Sequence, residues 1–269
     1  MRVALGIEYD GSAYCGWQVQ AQVRTVQGEL ERALSAVADH ELRLTVAGRT
    51  DRGVHALMQV AHFDTVASRS ARAWVLGANS RLPTDISVLW AREVSQNFHA
   101  RFSAQSRRYI YRILDRPIRP ALDRQRVCWS RRPLDERSMR DAAKVLLGEH
   151  DFSAFRAAEC QARTAVRRLI SVGVARSGEV IEIDLRANAF LHHMVRNIAG
   201  SLLAVGTGDR PPEWLGEVLA SRDRRRAGFT APSAGLFFMG VEYPRAHALS
   251  GQSSVQRAGP GCPPAGVSV

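Results

Sequence analysis

Apolar and polar positions alternate with two different periods along this 269-residue chain. A period of two places successive side chains on opposite faces of a strand, and it is clear at Val3, Leu5 and Ile7. A helical period follows Thr25, a residue type that commonly caps the N-terminus of a helix. The pattern predicts strands over residues 3–9, 42–46, 59–63, 86–90, 108–114, 165–174, 179–187 and 236–243, and helices over 26–37, 70–81, 134–147, 190–205 and 213–221.

The predicted elements run through two halves of similar order, beginning with β-α-β-β-α-β. This order is typical of split β-α-β units. We therefore predict an α+β fold of two similar RRM-like or ferredoxin-like halves, with mainly antiparallel sheets side by side and helices on the outer face. The predicted domains are residues 1–104 and 105–243. Residues 244–269 are rich in Gly, Pro, Ser and Ala, which predicts a disordered tail.

The charge of the chain is strongly positive, with a formal net charge of +11 and arginine as 36 of its 37 basic residues. A GC-rich genome would explain the preference for arginine over lysine, but it does not explain the excess of positive charge. Residues 101–132 hold ten arginines against two aspartates, and residues 222–226 form a second basic cluster. Guanidinium groups bind phosphates and stack on bases, so the composition predicts a polyanionic partner such as RNA.

No apolar run is long enough to span a bilayer, and the first residues lead directly into a strand rather than into a signal peptide. The cysteines Cys15, Cys128, Cys160 and Cys262 are far apart and form no Cys-x-x-Cys pair. That spacing argues against a zinc site and against a disulfide framework. We therefore expect a protein of the reducing cytoplasm, with no membrane partner.

Residues 47–55 contain the strongest candidate for chemistry. Gly48 and Gly53 flank a stretch where the chain leaves a predicted strand, and between them lie Arg49 and Asp51. In extended chain, residues two apart point to the same side. A carboxylate beside a guanidinium stays ionised and keeps one orientation, as a reactive aspartate requires. Pairs of this kind are also common on surfaces, where they contribute little. The spacing alone therefore leaves a catalytic pair and an incidental pair both open.

The chain resembles the TruA family of tRNA pseudouridine synthases along nearly its whole length. The blocks that carry the resemblance are EYDG at 8–11, GWQ at 16–18, TVQ at 25–27, AGRTDRGVH at 47–55, FHARFSA at 98–104, RY at 108–109, DFSAFR at 151–156, NAFLHHMVRN at 188–197, AP at 231–232 and GL at 235–236. One departure is Arg52, where the family more often has a small residue. That arginine is expected to add affinity for phosphate without changing the chemistry.

The resemblance implies the pseudouridine synthase fold and the isomerisation of uridine to pseudouridine at positions 38, 39 and 40 of the tRNA anticodon stem-loop by a homodimer. It also implies that Asp51 is catalytic, with Arg49 as its partner. Asp51 would act either as a nucleophile or as the acceptor of a sugar proton, and the sequence does not choose between them. The reaction involves no redox change and no activated donor, so we expect no cofactor.

The resemblance further implies that Tyr109 stacks on the target uracil and that Leu236 lines the opposite side of the base pocket. A base turned out of its stack needs such a platform. From the pattern alone, Tyr109 and Tyr111 also fit an ordinary aromatic pair facing the core. Arg196 and Asn197 are expected either to contact RNA or to pack against the loop that holds Asp51.

The adjacent His192 and His193 invite a metal interpretation, but neighbouring residues of a helix point about 100° apart. We therefore predict no metal site. His55 and His62 are expected to be structural. Two other functions stay open: an RNA-binding module of the RRM type, which would not need the loop around Asp51, and a nucleic-acid glycosylase or hydrolase acting on a flipped base. A glycosidase would require two facing carboxylates, and no such pair is evident.

Overall fold

Ten strands form a single sheet at the centre of the structure, a computed structural model that describes residues 1–247 and 249. The strands are β1 (Arg2–Tyr9), β2 (Thr45–Val46), β3 (His55–Asp64), β4 (Ile86–Val94), β5 (Ser106–Asp115), β6 (Cys128–Ser130), β7 (Gly148–Asp151), β8 (Val166–Ser177), β9 (Val180–Ala187) and β10 (Leu236–Glu242). The helices are α1 (Val26–Ala38), α2 (Ala71–Asn79), α3 (Glu136–Ala143), α4 (Met194–Gly206) and α5 (Trp214–Ser221).

The first half of the sheet is built on β1, which pairs antiparallel with both β3 and β4. Helix α1 begins where the side chain of Thr25 accepts a hydrogen bond from the backbone N–H of Gly28. Helix α2 packs against α1 and β4 and buries Trp74 edge-on against Phe63. β1 is buried on both faces, because Gly6 leaves room for the indole of Trp90.

The second half repeats this arrangement with β5, β9, β8 and β7, which are neighbours in that order and antiparallel. Helix α4 packs on β5, and α3 packs on α4 and β8. The hairpin between β8 and β9 turns at Gly178, whose φ of 58° favours glycine.

β10 joins the two halves, because it pairs parallel with β3 on one side and antiparallel with β5 on the other. The full order is β4-β1-β3-β10-β5-β9-β8-β7, with β2 attached to β3 and β6 attached to β5. The predicted α+β fold with mainly antiparallel sheets side by side is confirmed. The division into domains at residue 104 stays a prediction. One continuous sheet contains strands from both sides of that boundary.

Several predicted elements differ from those observed. The helix predicted from residue 190 begins only at Met194, and the helix predicted over 134–147 ends at Ala143, followed by a 3-10 turn at Lys144–Leu146. The alternation over 42–46 is real, because Leu42, Leu44 and Val46 are buried, yet only two residues of that stretch pair as strand β2. β6 and β7 are too short to leave a periodic pattern.

The predicted tail begins with residues that the structure describes. Arg245–His247 form a turn of 3-10 helix, and the side chain of Leu249 is buried. The remainder of the predicted tail, residues 248 and 250–269, lies outside the described residues. Within the described chain the longest helices have 13 residues, and none is long and apolar enough to cross a bilayer.

Candidate active site

The loop between β2 and β3 is fixed to the rest of the first half by backbone hydrogen bonds. The N–H of Trp17 donates to the carbonyl of Thr50 at 2.9 Å, and the N–H of Gly53 donates to the carbonyl of Tyr14 at 3.3 Å. Gly16 has a φ of 88°, and a Cβ atom there would lie 2.8 Å from the oxygen of Thr50. Glycine at position 16 therefore permits the close approach that sets the height of the loop.

Buried polar side chains hold the loop from the core side. The hydroxyls of Tyr9 and Thr50 are 2.7 Å apart and hydrogen-bonded, and the amide of Gln59 donates to the carbonyl of Gly48 at 2.8 Å. Burial raises the pKa of Tyr9 to about 12, although hydrogen bonds with Thr50 and Gln59 lower it in part. Thr50 points into the core, while Arg49 and Asp51 on either side of it line an open cavity.

This cavity has a volume of about 1380 Å³ and lies between the two halves of the fold. One wall is the loop around Asp51, and the other includes residues 189–196 at the start of α4. Its lining is rich in arginine, and the acidic side chains described there are Asp51 and Glu159. The cavity therefore presents a carboxylate within a largely positive surface.

The carboxylate of Asp51 is surrounded by cationic and imidazole groups from the second half. His192 Nε2 lies 3.3 Å from Oδ1, and His193 Nε2 lies 3.4 Å from Oδ2. Arg196 Nη1 lies 3.8 Å from Oδ2, while its Nε donates to the carbonyl of Ala231 at 2.7 Å. Arg196 thus joins the loop of Asp51 to the segment that precedes β10.

The predicted ion pair between Arg49 and Asp51 is wrong. Within the described part of the chain, Arg49 makes no ion pair with Asp51, and its side chain is exposed on the cavity wall. The two residues do line the same cavity, but the long guanidinium side chain extends toward solvent. The guanidinium beside the carboxylate is that of Arg196, 145 positions later in the chain.

The geometric argument against His192 and His193 as neighbours is also wrong. Both residues precede α4, and His193 at the N-cap has a φ of 60°, which turns its side chain toward that of His192. The two ring centroids are 4.0 Å apart. Burial lowers the pKa of His193, and the charge of Asp51 opposes that shift. The adjacent histidines are evident in the sequence, but the left-handed backbone conformation of His193, which brings both rings to Asp51, is not.

Tyr109 lies on the cavity wall and is only 8% exposed. Its ring makes edge contacts with Phe190 at 4.9 Å and with Phe238 at 5.1 Å between centroids. Burial, followed by the charges of Tyr9 and Asp51, raises the pKa of Tyr109, so the phenol stays protonated at neutral pH. Tyr111, two residues along β5, is instead fully buried and donates to the carbonyl of Pro232 at 2.7 Å.

Leu236, the first residue of β10, lines the same cavity and is 4% exposed. His55 and His62 lie outside the cavity lining. The ring of His55 is 3.2 Å from Asp10, and burial lowers its pKa. His62 accepts the N–H of Ala100, and burial lowers its pKa to about 4. The structure therefore brings together Asp51, Arg49, Tyr109, Leu236 and Arg196, and leaves these two histidines elsewhere.

A buried amide network behind the cavity was not predicted in detail. Asn197 is fully buried, and its Nδ2 donates to the carbonyl of Phe155 at 2.8 Å. Its Oδ1 accepts from Thr230 at 2.7 Å and from Arg224 at 3.0 Å. Thr230 precedes Ala231, whose carbonyl holds Arg196. Of the two roles expected for Asn197, the contacts show packing, and they hold the half-buried side chain of Arg224 against the fold.

The sequence of this chain matches a known family over most of its length. A family model described as tRNA pseudouridine synthase matches residues 6–103 and 142–244. Proteins named tRNA pseudouridine synthase A are similar to the chain throughout. Those from Coxiella burnetii, Methylococcus capsulatus and Xylella fastidiosa are 56%, 56% and 55% identical over 243, 250 and 256 residues. The matches cover 90%, 93% and 95% of this chain and 93%, 92% and 100% of those proteins.

Among solved structures, a chain from a crystal structure of a Cbf5-Nop10-Gar1 complex matches 75% of this chain and 45% of its own length. The identity is 11% and the TM-score is 0.31, a similarity too low to support an argument.

Proposed function

The chain belongs to the tRNA pseudouridine synthase family, and we propose that it isomerises uridines 38, 39 and 40 of the tRNA anticodon stem-loop with Asp51 as the catalytic carboxylate. The observation that carries the proposal is the position of Asp51. Its carboxylate opens onto the cavity between the two halves and is in contact with Arg196, His192 and His193. A carboxylate held by several neighbours keeps one orientation toward a bound substrate.

The reaction breaks the C–N glycosidic bond of uridine, turns the base and forms a C–C bond to the same ribose. Atoms and electrons balance within the substrate, so one ionised carboxylate suffices for the protein's part. Asp51 acts either as a nucleophile or as the acceptor of a sugar proton. Arg196 keeps a positive charge beside that carboxylate in either case.

Tyr109 and Leu236 supply the apolar walls for the flipped base. Edge contacts with two phenylalanines fix the orientation of the Tyr109 ring. Stacking of a base on an aromatic ring contributes about 1–3 kcal/mol. Arg49 has no acidic partner among the described residues and projects from the cavity wall, so we assign it to the RNA backbone or to a neighbouring base rather than to Asp51.

The homodimer and the cytoplasmic location also belong to the proposal. They rest on the family resemblance and, for the compartment, on widely spaced cysteines, of which Cys15, Cys128 and Cys160 are free thiols. Light scattering of the purified protein should give twice the mass of the chain. A monomeric mass that does not change with protein concentration would contradict the dimer.

The test of the function uses Asp51→Asn and unmodified tRNA transcripts that carry uridine at position 38, 39 or 40. Because Asn is nearly isosteric with Asp, the variant should keep its fold and its tRNA affinity and lose turnover. The matched control is Glu159→Gln, which removes the other acidic group described in the cavity and should keep most of the activity. Chemical mapping of pseudouridine locates the product, and an unchanged RNA mass distinguishes isomerisation from base loss. Turnover by a well-folded Asp51→Asn protein would contradict the assignment.

A further inference from the structure

Three side chains that are able to bind a metal converge at one point of the cavity. The ligand atoms of Asp51, His192 and His193 all lie within 4.8 Å of one another. Each side chain is partly exposed, at 28%, 36% and 26% respectively, so a small ion in solution has access to all three. The carboxylate comes from the loop before β3 and the imidazoles from the turn before α4.

Backbone hydrogen bonds hold the main chain of both histidines in place. The carbonyl of His192 accepts the N–H of Ala157 at 3.0 Å, and the carbonyl of His193 accepts the N–H of Asn197 at 2.9 Å. With these bonds in place and a φ of 60° at His193, the two rings lie face to face, tilted by 36°. The three side chains already lie together in the folded protein, which lowers the cost of binding an ion.

The three ligand atoms lie close enough together to share one small ion. Zinc binds imidazole nitrogen at about 2.0–2.1 Å and carboxylate oxygen at about 2.0–2.2 Å, so neighbouring ligand atoms in a tetrahedron are about 3.3–3.5 Å apart. His192 Nε2 lies 3.3 Å from Asp51 Oδ1 and His193 Nε2 lies 3.4 Å from Asp51 Oδ2, so each imidazole has this separation from one of the two carboxylate oxygens. Two imidazoles and one carboxylate are a donor set that suits zinc and cobalt, and all three residues line the open cavity.

We propose that Asp51, His192 and His193 form a binding site for a divalent cation of the zinc class, and that the bound ion inhibits the enzyme. The inhibition rests on the proposed function, because an ion that occupies the Asp51 carboxylate removes it from the reaction. The binding itself does not depend on that function.

Arg196 makes this site reversible. Its guanidinium lies 3.8 Å from Asp51 Oδ2 and is retained there by the carbonyl of Ala231. A divalent cation on the same carboxylate is repelled by that charge, so the ion binds more weakly than in a dedicated structural site. Removing the charge should therefore tighten metal binding, although it impairs catalysis. A simple structural role for the histidines does not predict that result.

Binding is measured on the full-length protein with Co²⁺, whose visible absorption reports tetrahedral ligation, and by competition with Zn²⁺ in equilibrium dialysis. We expect one site per chain. His192→Gln and His193→Gln should each weaken it at least as much as the 10–100-fold typical for loss of an outer-shell partner. Arg196→Gln should strengthen it. The control is His99→Gln, which changes a histidine that contacts His62 outside the cavity, with centroids 5.0 Å apart. That variant should bind as the wild type does.

Inhibition is measured as pseudouridine formation against added Zn²⁺, with reversal by a chelator. One outcome is that the metal binds stoichiometrically, that both histidine variants lose this binding, and that the metal still leaves pseudouridine formation unaffected. That result would overturn the inhibitory role and support the binding site. Binding by a protein that forms no pseudouridine under any condition would contradict the proposed function and leave the site standing. Absence of Co²⁺ absorption, or binding equal in His192→Gln, His193→Gln and wild type, would overturn the proposal.

Discussion

Replacing the buried Asn197 by alanine should weaken the fold and impair Asp51 from a distance. The substitution removes a donor to the carbonyl of Phe155 and an acceptor for Thr230 and Arg224. Thr230 and Arg224 still bond to each other at 3.0 Å, so the group left without its partner is chiefly the Phe155 carbonyl. The perturbation therefore affects one fully desolvated group and the alignment of two others.

The magnitude follows from these contacts. An unsatisfied buried polar group costs about 1–3 kcal/mol, and a small cavity at a fully buried position adds about 1 kcal/mol. We expect a loss of about 2–4 kcal/mol in the free energy of unfolding. At about 2 °C per kcal/mol for a chain of this size, that corresponds to a fall in Tm of about 4–8 °C. Urea denaturation and thermal unfolding followed by circular dichroism measure both quantities.

The same substitution should lower kcat more than it raises KM. Thr230 adjoins Ala231, which accepts from Arg196 Nε and donates its own N–H to the Arg196 carbonyl at 3.1 Å. A shift of that segment moves the guanidinium beside Asp51, and misplacement by about 1 Å costs up to about a hundredfold in rate. Steady-state kinetics with a tRNA transcript below the unfolding temperature of the variant give the two parameters.

The matched control is Asn79→Ala. Asn79 also makes two hydrogen bonds to backbone, with the N–H and carbonyl of Val88 at 2.8 Å and 2.9 Å, but it lies away from the cavity. Because Asn79 is exposed, this variant should lose less stability than Asn197→Ala, and it should keep its kcat. If Asn197→Ala unfolds like the wild type, the network contributes no stability. If both variants lose kcat equally, the effect is one of general destabilisation, and the link from Asn197 to Asp51 is refuted.

Three further predictions concern the stacking of the target base on Tyr109, the stability at acid pH and the salt dependence of RNA binding. Tyr109→Phe should retain far more activity than Tyr109→Leu in single-turnover assays, and an equal loss would point to the hydroxyl as a proton carrier. The pKa of Asp10 is lowered to about 2, because hydrogen bonds from Ser12 and Arg126 and the charge of His55 outweigh the opposing effect of burial. A carboxyl group whose pKa is lower in the folded state than in the unfolded state stabilises the fold at pH values above its unfolded pKa. This contribution should therefore be lost as the pH falls from about 4 to about 2. In Asp10→Asn the unfolding midpoint should depend less on pH across that range than in the wild type. An unchanged pH dependence of the midpoint would exclude the Asp10 carboxylate as the cause. Arg124→Gln should weaken every tRNA substrate alike and reduce the salt slope of binding by about 0.7–0.9. Arg132→Gln, which breaks a pair with Asp209 outside the cavity, should leave that slope unchanged.

The fold was predictable from sequence wherever a period was carried by several consecutive turns or pleats. Helix α1 begins after the predicted cap Thr25, and strand β9 ends at residue 187 as predicted. The start of α4 was not predictable, because Phe190, Met194 and Ile198 are spaced as they would be in one uninterrupted helix. Helix α4 cannot extend before Met194, because His193 has a left-handed backbone conformation. Only glycine commonly signals that conformation in a sequence, and position 193 is a histidine.

The candidate site divides in the same way. Asp51 and its loop are visible in the sequence, because glycines and an acidic residue lie within a few positions of one another. The neighbours of the carboxylate are not visible, because His192, His193 and Arg196 reach it only after the second half of the sheet has formed. Arg49 illustrates the resulting error. Proximity in sequence predicts Arg49 as the ionic partner of Asp51, while the guanidinium that lies beside Asp51 is that of Arg196 in α4.

The distribution of ionic partners shows which arginines are available to RNA. Most arginines of the basic stretch 101–132 are engaged within the fold, including those paired with acidic residues at positions 108, 112, 116, 126 and 132. The cluster 222–226 is engaged in the same way, through Asp151, Asn197, Asp223 and Glu217. A guanidinium already paired with a carboxylate adds little to the field at a distance.

Part of the positive charge that has no acidic partner lies around the cavity. Arg49, Arg52, Arg101 and Arg124 line the cavity, and within the described chain none of them has an acidic partner. Phosphates attracted to these four side chains would be held around the mouth of the cavity, within reach of the loop that carries Asp51. A nucleotide gripped there by its phosphates has its base and sugar directed inward, toward Tyr109 and the carboxylate. Binding strength and catalytic alignment would then both depend on these four arginines.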